Sequence, residues 1–226
     1  MDIKISKKEV LRYLGYRNQI LSHDMENLID ITIDEAYKLV KPRYVYRYFE
    51  ILSKDINYLE LKDTNVYMKG KDISVHLNGS KECYLMAVTL GVEIDKKIRY
   101  YEHSSLTKAM ILDAGATTAV ESACDIVCSI IKNDLKKVGL TITRRYSPGY
   151  GDFDINIQRE ILNLVDAEKL IGLTITRNNI LIPRKSVTAV VGVIDEKLDY
   201  KTFEKCKSCP NYSKCAYRKE SDRCGS

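Results

Sequence analysis

The spacing of apolar and polar residues divides the chain into a helical beginning, a run of strands and a helical middle. Ser6 and Glu9 form a capping-box pattern, a hydroxyl followed three residues later by a carboxylate, which predicts a short helix. A second helical period covers residues 24–41 and is stopped by Pro42. Beyond it, alternating or apolar stretches between Gly and Asp breaks predict strands of a mostly antiparallel sheet: RYVYRYFEIL, YLELKD, VYMKG, ISVHLNG and CYLMAVTLG.

Helical spacing returns after Gly91 and predicts a long helix over residues 104–139 that ends at a left-handed cap on Gly139. Its first half is rich in Ala, Gly and Thr, so another backbone or a ligand can approach it. After it we expect a strand, a helix and two further strands: LTITRRY, INIQREILNLVDAEKLIG, LTIT and SVTAVVGVID. The pattern predicts one α+β domain over residues 1–203, with N-terminal helices, a twisted mostly antiparallel sheet and a long central helix, followed by a Cys-rich tail over 204–226.

Composition narrows the class of protein. The net charge of the 226 residues is +5, but from Lys197 onward eight Lys or Arg stand against four Asp or Glu, so the body is nearly neutral. That distribution argues against a nucleic-acid partner, which needs a basic face across the fold. The chain lacks an apolar run of the roughly 20 residues that would cross a bilayer, and its N-terminus lacks the apolar core of a signal peptide. We therefore expect a cytoplasmic protein without a membrane partner.

The stretch RRYSPGYGDFD, residues 144–154, carries more chemistry than a turn requires. Arg145 has a planar fork that can grip a carboxylate with two hydrogen bonds. Pro148 restricts the backbone, and Gly149 and Gly151 let the chain approach a ligand without a Cβ in the way. Tyr150 offers a flat face to an aromatic ring or a cation. These residue types suit a small ligand with a carboxylate, a flat base and a positive centre; an ordinary strand-to-helix turn with an incidental arginine is the alternative.

The order Arg145-Tyr146-Ser147-Pro148-Gly149-Tyr150 resembles the R-x-x-P-G-Y signature that binds S-adenosylmethionine in the activation domain of cobalamin-dependent methionine synthase. In that family a long helix with a small-residue face and a glutamate precedes the signature, and the segment AVESA places Glu121 at the matching position. The resemblance covers residues 85–195 well, whereas the N-terminal ninety residues match only in the order of elements. The family continues into a Cys-Pro-Asp-His-like run, but here the sequence reads GDFDINIQ.

The resemblance implies a role for each matching residue. Arg145 would hold the methionine carboxylate, and Glu121 would lie near the amino group or the sulfonium; without the resemblance, Glu121 would be read as a helix-surface carboxylate. The residues expected to bind S-adenosylmethionine are Glu121, Arg145, Tyr146, Ser147, Pro148, Gly149 and Tyr150. The backbone of residues 146–149 would line the nucleoside, and Tyr150 would pack against the ligand. No side chain is expected to act as a catalytic acid or base.

The resemblance also implies a function and partners. The chain resembles a free-standing version of the domain, a reactivation subunit within a methyltransferase system. Its partner would be the cobalamin-binding module of methionine synthase or of another corrinoid protein. A flavodoxin-like or other donor would supply an electron for reductive methylation. Three alternatives stay open. The chain could be an activator of another corrinoid methyltransferase that uses a metal or iron–sulfur cluster on its Cys-rich tail, a self-sufficient S-adenosylmethionine-dependent methyltransferase, or a metal-bearing adaptor protein.

The C-terminal tail, CKSCPNYSKCAYRKESDRC, holds four cysteines. Their thiolates could bind zinc or an iron–sulfur cluster, because a C-x2-C turn brings two sulfurs to one ion. The candidate ligands are Cys206, Cys209, Cys215 and Cys224. A flexible, reducible tail is the alternative. Cys83, Cys124 and Cys128 lie in apolar stretches and are expected to be small core residues.

Overall fold

The structure, a computed structural model, describes residues 1–55 and 57–197. Helices α1 to α7 span Lys7–Tyr13, His23–Leu39, Lys71–His76, Val92–Ser104, Leu106–Lys136, Gln158–Leu164 and Ala167–Ile171. Strands β1 to β8 span Arg43–Lys54, Tyr58–Leu61, Tyr67–Lys69, Glu82–Thr89, Leu140–Ile142, Thr174–Ile175, Leu181–Ile182 and Ser186–Asp195. A 3-10 turn, Ile155–Ile157, precedes α6.

Within the described residues, six strands form one antiparallel sheet in the order β3-β2-β1-β4-β8-β5, and β6 and β7 form a separate hairpin. Strand β4 lies in the middle and pairs with β1 on one side and β8 on the other, so Leu85 lies opposite both Arg47 and Val190. The fold is therefore α+β with a mostly antiparallel sheet and a long central helix, as the pattern of residues predicts.

The sheet separates two apolar cores, because successive side chains of a strand point to opposite faces. Met86 and Val88 of β4 pack with residues of α2, α4 and α5. Leu85 and Ala87 pack with residues of α3, α6 and α7. The helices cover both faces of the sheet, which is why β4 and β8 are buried almost throughout.

The small residues in the first half of α5 serve helix packing. A Cβ added to Gly115 would meet the Cβ of Ala36 at 3.5 Å, an ordinary contact distance, so α2 lies close against α5 there. Among the described helices, α5 is the one long and apolar enough to cross a membrane by length and composition. More than half of its most apolar stretch is buried within the fold, which is the environment of a core helix.

Four details differ from the sequence predictions. ISVHLNG is not a strand, because residues 71–76 form α3. Ser6 does begin α1, but its hydroxyl caps no backbone amide, and Glu9 pairs with Arg12 instead, so the capping box is not formed. The helical stretch after Gly91 is divided by the extended Ser105 into α4 and α5. The helix predicted over 155–172 is divided by the left-handed Asp166.

Candidate ligand site at the 144–154 turn

Two backbone anchors to strand β8 hold the segment that carries Arg145. The Thr143 amide donates a hydrogen bond to the Gly192 carbonyl at 2.8 Å, and the Thr143 hydroxyl accepts one from the Gly192 amide at 2.8 Å. Tyr146 and Val190 exchange two backbone hydrogen bonds of 2.9 Å each. Arg144 and Arg145 lie between these anchors, so the position of the Arg145 backbone is fixed by the central sheet.

The turn that follows closes on itself. The Gly149 amide donates to the Phe153 carbonyl at 2.8 Å, and the Phe153 amide donates to the Tyr150 carbonyl at 3.0 Å. Gly149 has a φ of +89°, a region that residues with a Cβ adopt only at a cost. Phe153 is 1% exposed within the core on the α6 side of the sheet, whereas Tyr150 is 67% exposed. One side of the turn is therefore an anchor and the other side is presented to solvent.

Asp152 ties the turn to α3, which explains half of the GDFD segment. Its carboxylate accepts backbone hydrogen bonds from Lys71 at 2.7 Å and Asp72 at 3.0 Å, at the N-terminus of α3. A Cβ on Gly70 would lie 2.8 Å from an Asp152 oxygen, and a Cβ on Gly151 would collide with the Asp72 carboxylate. Both glycines are therefore required by this close approach. Asp154 is also a capping residue: its carboxylate accepts a hydrogen bond from the Asn156 amide at 2.9 Å, at the start of the 3-10 turn.

We expect the contribution of Asp152 to stability to depend on pH. The amides of Asp72 and Lys71 favour the ionised carboxylate and hold the pKa of Asp152 below its ordinary value of 3.8. A depressed pKa stabilises the folded state above the ordinary pKa, and this contribution is lost as pH falls through the folded-state value. In urea unfolding, the stability difference between wild type and Asp152→Asn should be constant near neutrality and should shrink below about pH 4. A difference that does not change with pH would contradict this role.

His76, at the end of α3, packs on the same turn. Its ring stacks on Tyr146 with centroids 4.9 Å apart, and its Nε2 lies 2.8 Å from the Arg144 carbonyl oxygen. Burial lowers the pKa of His76 below 6.5, so the ring is neutral near pH 7, and Nε2–H donates to that carbonyl. Burial raises the pKa of Tyr146 to about 12, with Asp72 and Asp152 adding to the effect, and its hydroxyl donates to the Tyr150 carbonyl at 3.3 Å. Helix α3 thus packs against the turn through His76 and holds it in place.

Arg145 is held by two carboxylates of α5. Its Nη2 lies 2.8 Å from Glu121 Oε2, and its Nη1 pairs with Asp125. The side chain of Arg145 is 12% exposed, whereas those of Glu121 and Asp125 are 41% and 38% exposed. Burial opposes the positive charge, but the negative groups around the guanidinium, Asp125 among them, leave the pKa of Arg145 above its ordinary value. The cation therefore lies inside and its two acidic partners face solvent.

The same face of α5 continues as a groove. One turn before Glu121, the Lys185 ammonium donates to the Thr117 hydroxyl at 2.9 Å and lies 2.8 Å from the Asp113 carboxylate. Asp113 and Thr117 also line a depression of about 460 Å³, together with Tyr13, Leu14, Ile98, Glu102, Leu106, Ala109, Met110 and Ala114. Because Asp113, Thr117, Glu121 and Asp125 follow at intervals of four residues, they form one line along the helix.

Comparison with known proteins shows the fold. No family model and no curated relative matches the sequence. A solved structure described as the MetH reactivation domain bound to AdoHcy matches with a TM-score of 0.60 at 15% sequence identity, over 83% of this chain and 76% of that chain. The chain is similar in fold to the MetH reactivation domain. At this sequence identity the similarity extends to the architecture, and the bound AdoHcy is a property of that protein.

Within this MetH-like fold, the residues predicted from the signature come together. Glu121 is in contact with Arg145, and Tyr146 to Tyr150 form one turn beside them. Pro148 is buried, Ser147 is half-buried, and Gly149 and Tyr150 are exposed. Asp125 and Lys185 were not predicted from the sequence. Asp125 follows Glu121 by four residues, and that spacing is the signal that could have indicated a second partner for Arg145.

The cysteines divide into described and undescribed groups. Cys83 and Cys124 are buried in the two cores, as expected, and Cys128 is half-buried with its Sγ 3.9 Å from Arg145 Nη1. Burial raises the pKa of Cys128, so its thiol is neutral near pH 7. In residues 1–55 and 57–197, no group of three or more His, Cys, Asp or Glu could hold a metal ion. Cys206, Cys209, Cys215 and Cys224 lie outside the described residues, and the metal site there stays a prediction.

Proposed function

We propose that this chain binds S-adenosylmethionine at the 144–150 turn and supports reductive methylation of the cobalamin of a partner methionine synthase. The observation that carries the proposal is the guanidinium of Arg145, held by Glu121 and Asp125 beside an R-x-x-P-G-Y turn. The similarity in fold to a MetH reactivation domain bound to AdoHcy supports it. Neither the R-x-x-P-G-Y signature nor the similarity in fold would by itself identify the ligand. S-adenosylmethionine is favoured because both are found in the same chain.

The residues of the site match the chemistry of the ligand. Arg145 presents a fork that suits the methionine carboxylate. Glu121 and Asp125 are anions that suit the ammonium and sulfonium centres, and both are more exposed than Arg145. Tyr150 is 67% exposed and offers its ring to the ligand or the partner. In the proposed complex, the ligand carboxylate replaces Glu121 and Asp125 as the partner of the Arg145 guanidinium. The two acidic side chains then interact with the ammonium and sulfonium groups of the ligand.

The proposed role of the protein is positioning rather than acid–base chemistry. One electron from a flavodoxin-like donor and the methyl group of S-adenosylmethionine together convert the one-electron-oxidised partner cobalamin to its methylated form, with S-adenosylhomocysteine as the other product. The chain would hold the sulfonium methyl in line with the partner's metal and exclude competing orientations. Proton transfer is not part of this step, so no side chain needs a tuned acid or base. The proposed location is cytoplasmic, where such partners would be met.

Two measurements test the proposal. Isothermal titration with S-adenosylmethionine should give saturable binding to the wild-type chain. In a reconstitution with oxidised cobalamin-loaded methionine synthase, a reductant and S-adenosylmethionine, adding the chain should accelerate the return of the methylcobalamin absorption spectrum. Recovery at the same rate without the chain, despite tight ligand binding, would point to the activator of another corrinoid protein or to a self-sufficient methyltransferase. An absence of ligand binding would leave the adaptor class.

The tail cysteines have no assigned role in the proposed activation step. Cys206, Cys209, Cys215 and Cys224 would bind zinc or an iron–sulfur cluster, and of the two the cluster would suit a protein that works beside an electron donor, because zinc is redox-inactive.

A further inference from the structure

We propose that a surface of three tyrosines and one carboxylate on the central sheet binds lysine side chains, and that its occupant is the basic segment 198–226 of the same chain. This tyrosine surface consists of Tyr46, Tyr48, Tyr84 and Glu82. The segment lies outside the described residues, and its sequence supplies the positive charges. The inference is independent of the proposed function, because it uses none of the residues of the 144–154 turn.

The three tyrosines lie side by side on the neighbouring strands β1 and β4. Tyr48 is paired directly with Tyr84, and Tyr46 precedes Tyr48 by two residues, so all three side chains are on one face of the sheet. The ring of Tyr84 is inclined by 70° to that of Tyr46 and by 71° to that of Tyr48, with centroids 5.8 and 5.7 Å apart. Tyr48 is 45% exposed, so a cation from solvent can reach its ring.

Glu82 is a carboxylate without a cationic partner in the part of the chain that the structure describes. It accepts a hydrogen bond from the Tyr48 hydroxyl. Burial and this hydrogen bond raise the pKa of Tyr48 to about 12, so the hydroxyl is protonated near pH 7 and remains the donor. Glu50, which lies opposite Glu82 in the ladder, is already paired with Lys62 at 2.7 Å.

The remaining carboxylate beside these rings is Asp134 of α5. Burial and the charge of Asp134 raise the pKa of Tyr46, and Asp134 itself pairs with Lys137 at 3.3 Å. The tyrosine surface therefore keeps one uncompensated negative charge, that of Glu82, beside three aromatic rings. A lysine ammonium matches both features, because it forms a charge-assisted hydrogen bond with a carboxylate and is attracted to the face of an aromatic ring.

The segment 198–226 begins close to this surface. Val193 of β8 is paired with Glu82, and β8 ends two residues later at Asp195. Neighbouring strands are about 4.8 Å apart, so β1 lies roughly 10 Å from β8, with β4 between them. Lys201 follows Asp195 by six residues. An extended chain of that length spans about 20 Å, so the first lysine of the segment can reach the tyrosine surface.

Charge and connectivity both favour this occupant. In residues 198–226, seven Lys or Arg stand against four Asp or Glu. Because the segment is joined to β8, its effective concentration at the surface is on the order of millimolar, and a weak contact is enough to hold it there. Lys205 and Lys207 flank Cys206. Binding of either lysine would hold this predicted metal ligand beside β1.

Carbodiimide cross-linking of the full-length chain tests the inference. The reagent joins a carboxylate to an amine that touches it, forming an amide, and takes up the released water as a urea. Mass spectrometry of a digest should show Glu82 linked to a lysine of the segment: Lys201, Lys205, Lys207, Lys214 or Lys219. The link between Glu50 and Lys62 is the internal standard for the yield. A digest that contains this standard link but no link from Glu82 to the segment would overturn the inference.

Two variants of one position separate binding from mere proximity. Tyr48→Leu removes the aromatic face and should lower the yield of the Glu82 link, relative to the standard link, about two- to fivefold, the size expected for an exposed cation–π contact. Tyr48→Phe keeps the ring, and its yield should stay closer to that of wild type. Equal yields in all three chains would show that the ring does not hold the lysine and would overturn the inference.

Isotope labelling identifies the chain that supplies the segment. In an equal mixture of ¹⁵N-labelled and unlabelled protein, a link within one chain gives cross-linked peptides that are fully labelled or fully unlabelled. Peptides of mixed mass would mean that the segment of another copy is bound, and would overturn the assignment to the same chain. None of these results alters the titration with S-adenosylmethionine, so the inference and the proposed function can fail separately.

Discussion

Replacing Phe153 by alanine is expected to lower the free energy of unfolding by about 3–5 kcal/mol, the range for removing a fully buried aromatic side chain. Phe153 is 1% exposed and belongs to the core that includes Ile161, Val165 and Val190. Its backbone also closes the turn through the Gly149 amide. The substitution should therefore cost packing energy and loosen the segment that carries Tyr150. Urea unfolding at pH 7 gives the difference directly.

Tyr150→Ala is the matched control, because it removes an aromatic ring three residues earlier in the same turn. Tyr150 is 67% exposed, so its loss should change stability by no more than about 0.5 kcal/mol. A cost below about 1 kcal/mol for Phe153→Ala would show that the aromatic ring does not anchor the turn, since a cavity of this size cannot form that cheaply. The pair of variants separates the anchoring side of the turn from its exposed side.

Much of the architecture follows from local patterns. The alternation in 43–52 and 83–91 marks the strands β1 and β4, and the apolar run SVTAVVGVID coincides with β8. The central helix ends before a left-handed Gly139, as predicted. These elements are predictable because periodicity, glycine caps and proline breaks act within a few residues along the chain.

Helix α3 was not predictable, because its cause lies eighty residues away. ISVHLNG alternates like a strand, but the backbone amides of Lys71 and Asp72 are capped by the carboxylate of Asp152. A local pattern cannot contain that partner. For the same reason GDFD stood apart from the family signature: Asp152 and Asp154 have structural roles as caps, and Phe153 is a core residue.

The candidate site was predictable in part. Arg145 and Tyr150 followed from the chemistry of the signature, and Glu121 from the resemblance. Asp125, Lys185 and His76 depend on which elements meet in space, and α5, the segment before β8 and α3 are far apart in sequence. The ligand roles of the signature residues stay predictions, and substitution of Arg145 tests the central one.

Arg145→Ala is expected to weaken binding of S-adenosylmethionine by about 1.5–3 kcal/mol, on the order of ten- to a hundredfold in affinity, the range for a hydrogen bond to a charged group. The variant loses the guanidinium that is proposed to bind the ligand carboxylate with two hydrogen bonds. It also leaves Glu121 and Asp125 one turn apart without their shared cation, so the anionic end of the ligand meets two negative charges. Arg47→Ala is the control, because Arg47 pairs with Asp166 near α7 and is 45% exposed, away from this turn.

Arg145→Lys refines the result, since lysine keeps the positive charge but cannot make the planar two-nitrogen contact. We expect its affinity to lie between those of wild type and Arg145→Ala. Titration calorimetry measures all three, and thermal unfolding confirms that each variant is folded at the temperature of the titration. If Arg145→Ala binds S-adenosylmethionine within about twofold of wild type, the ligand carboxylate is held elsewhere, because loss of a charged grip cannot be that small. The Arg145 guanidinium would then form a structural ion pair with Glu121 and Asp125 of α5, and the groove lined by Asp113 and Thr117 would become the candidate ligand site.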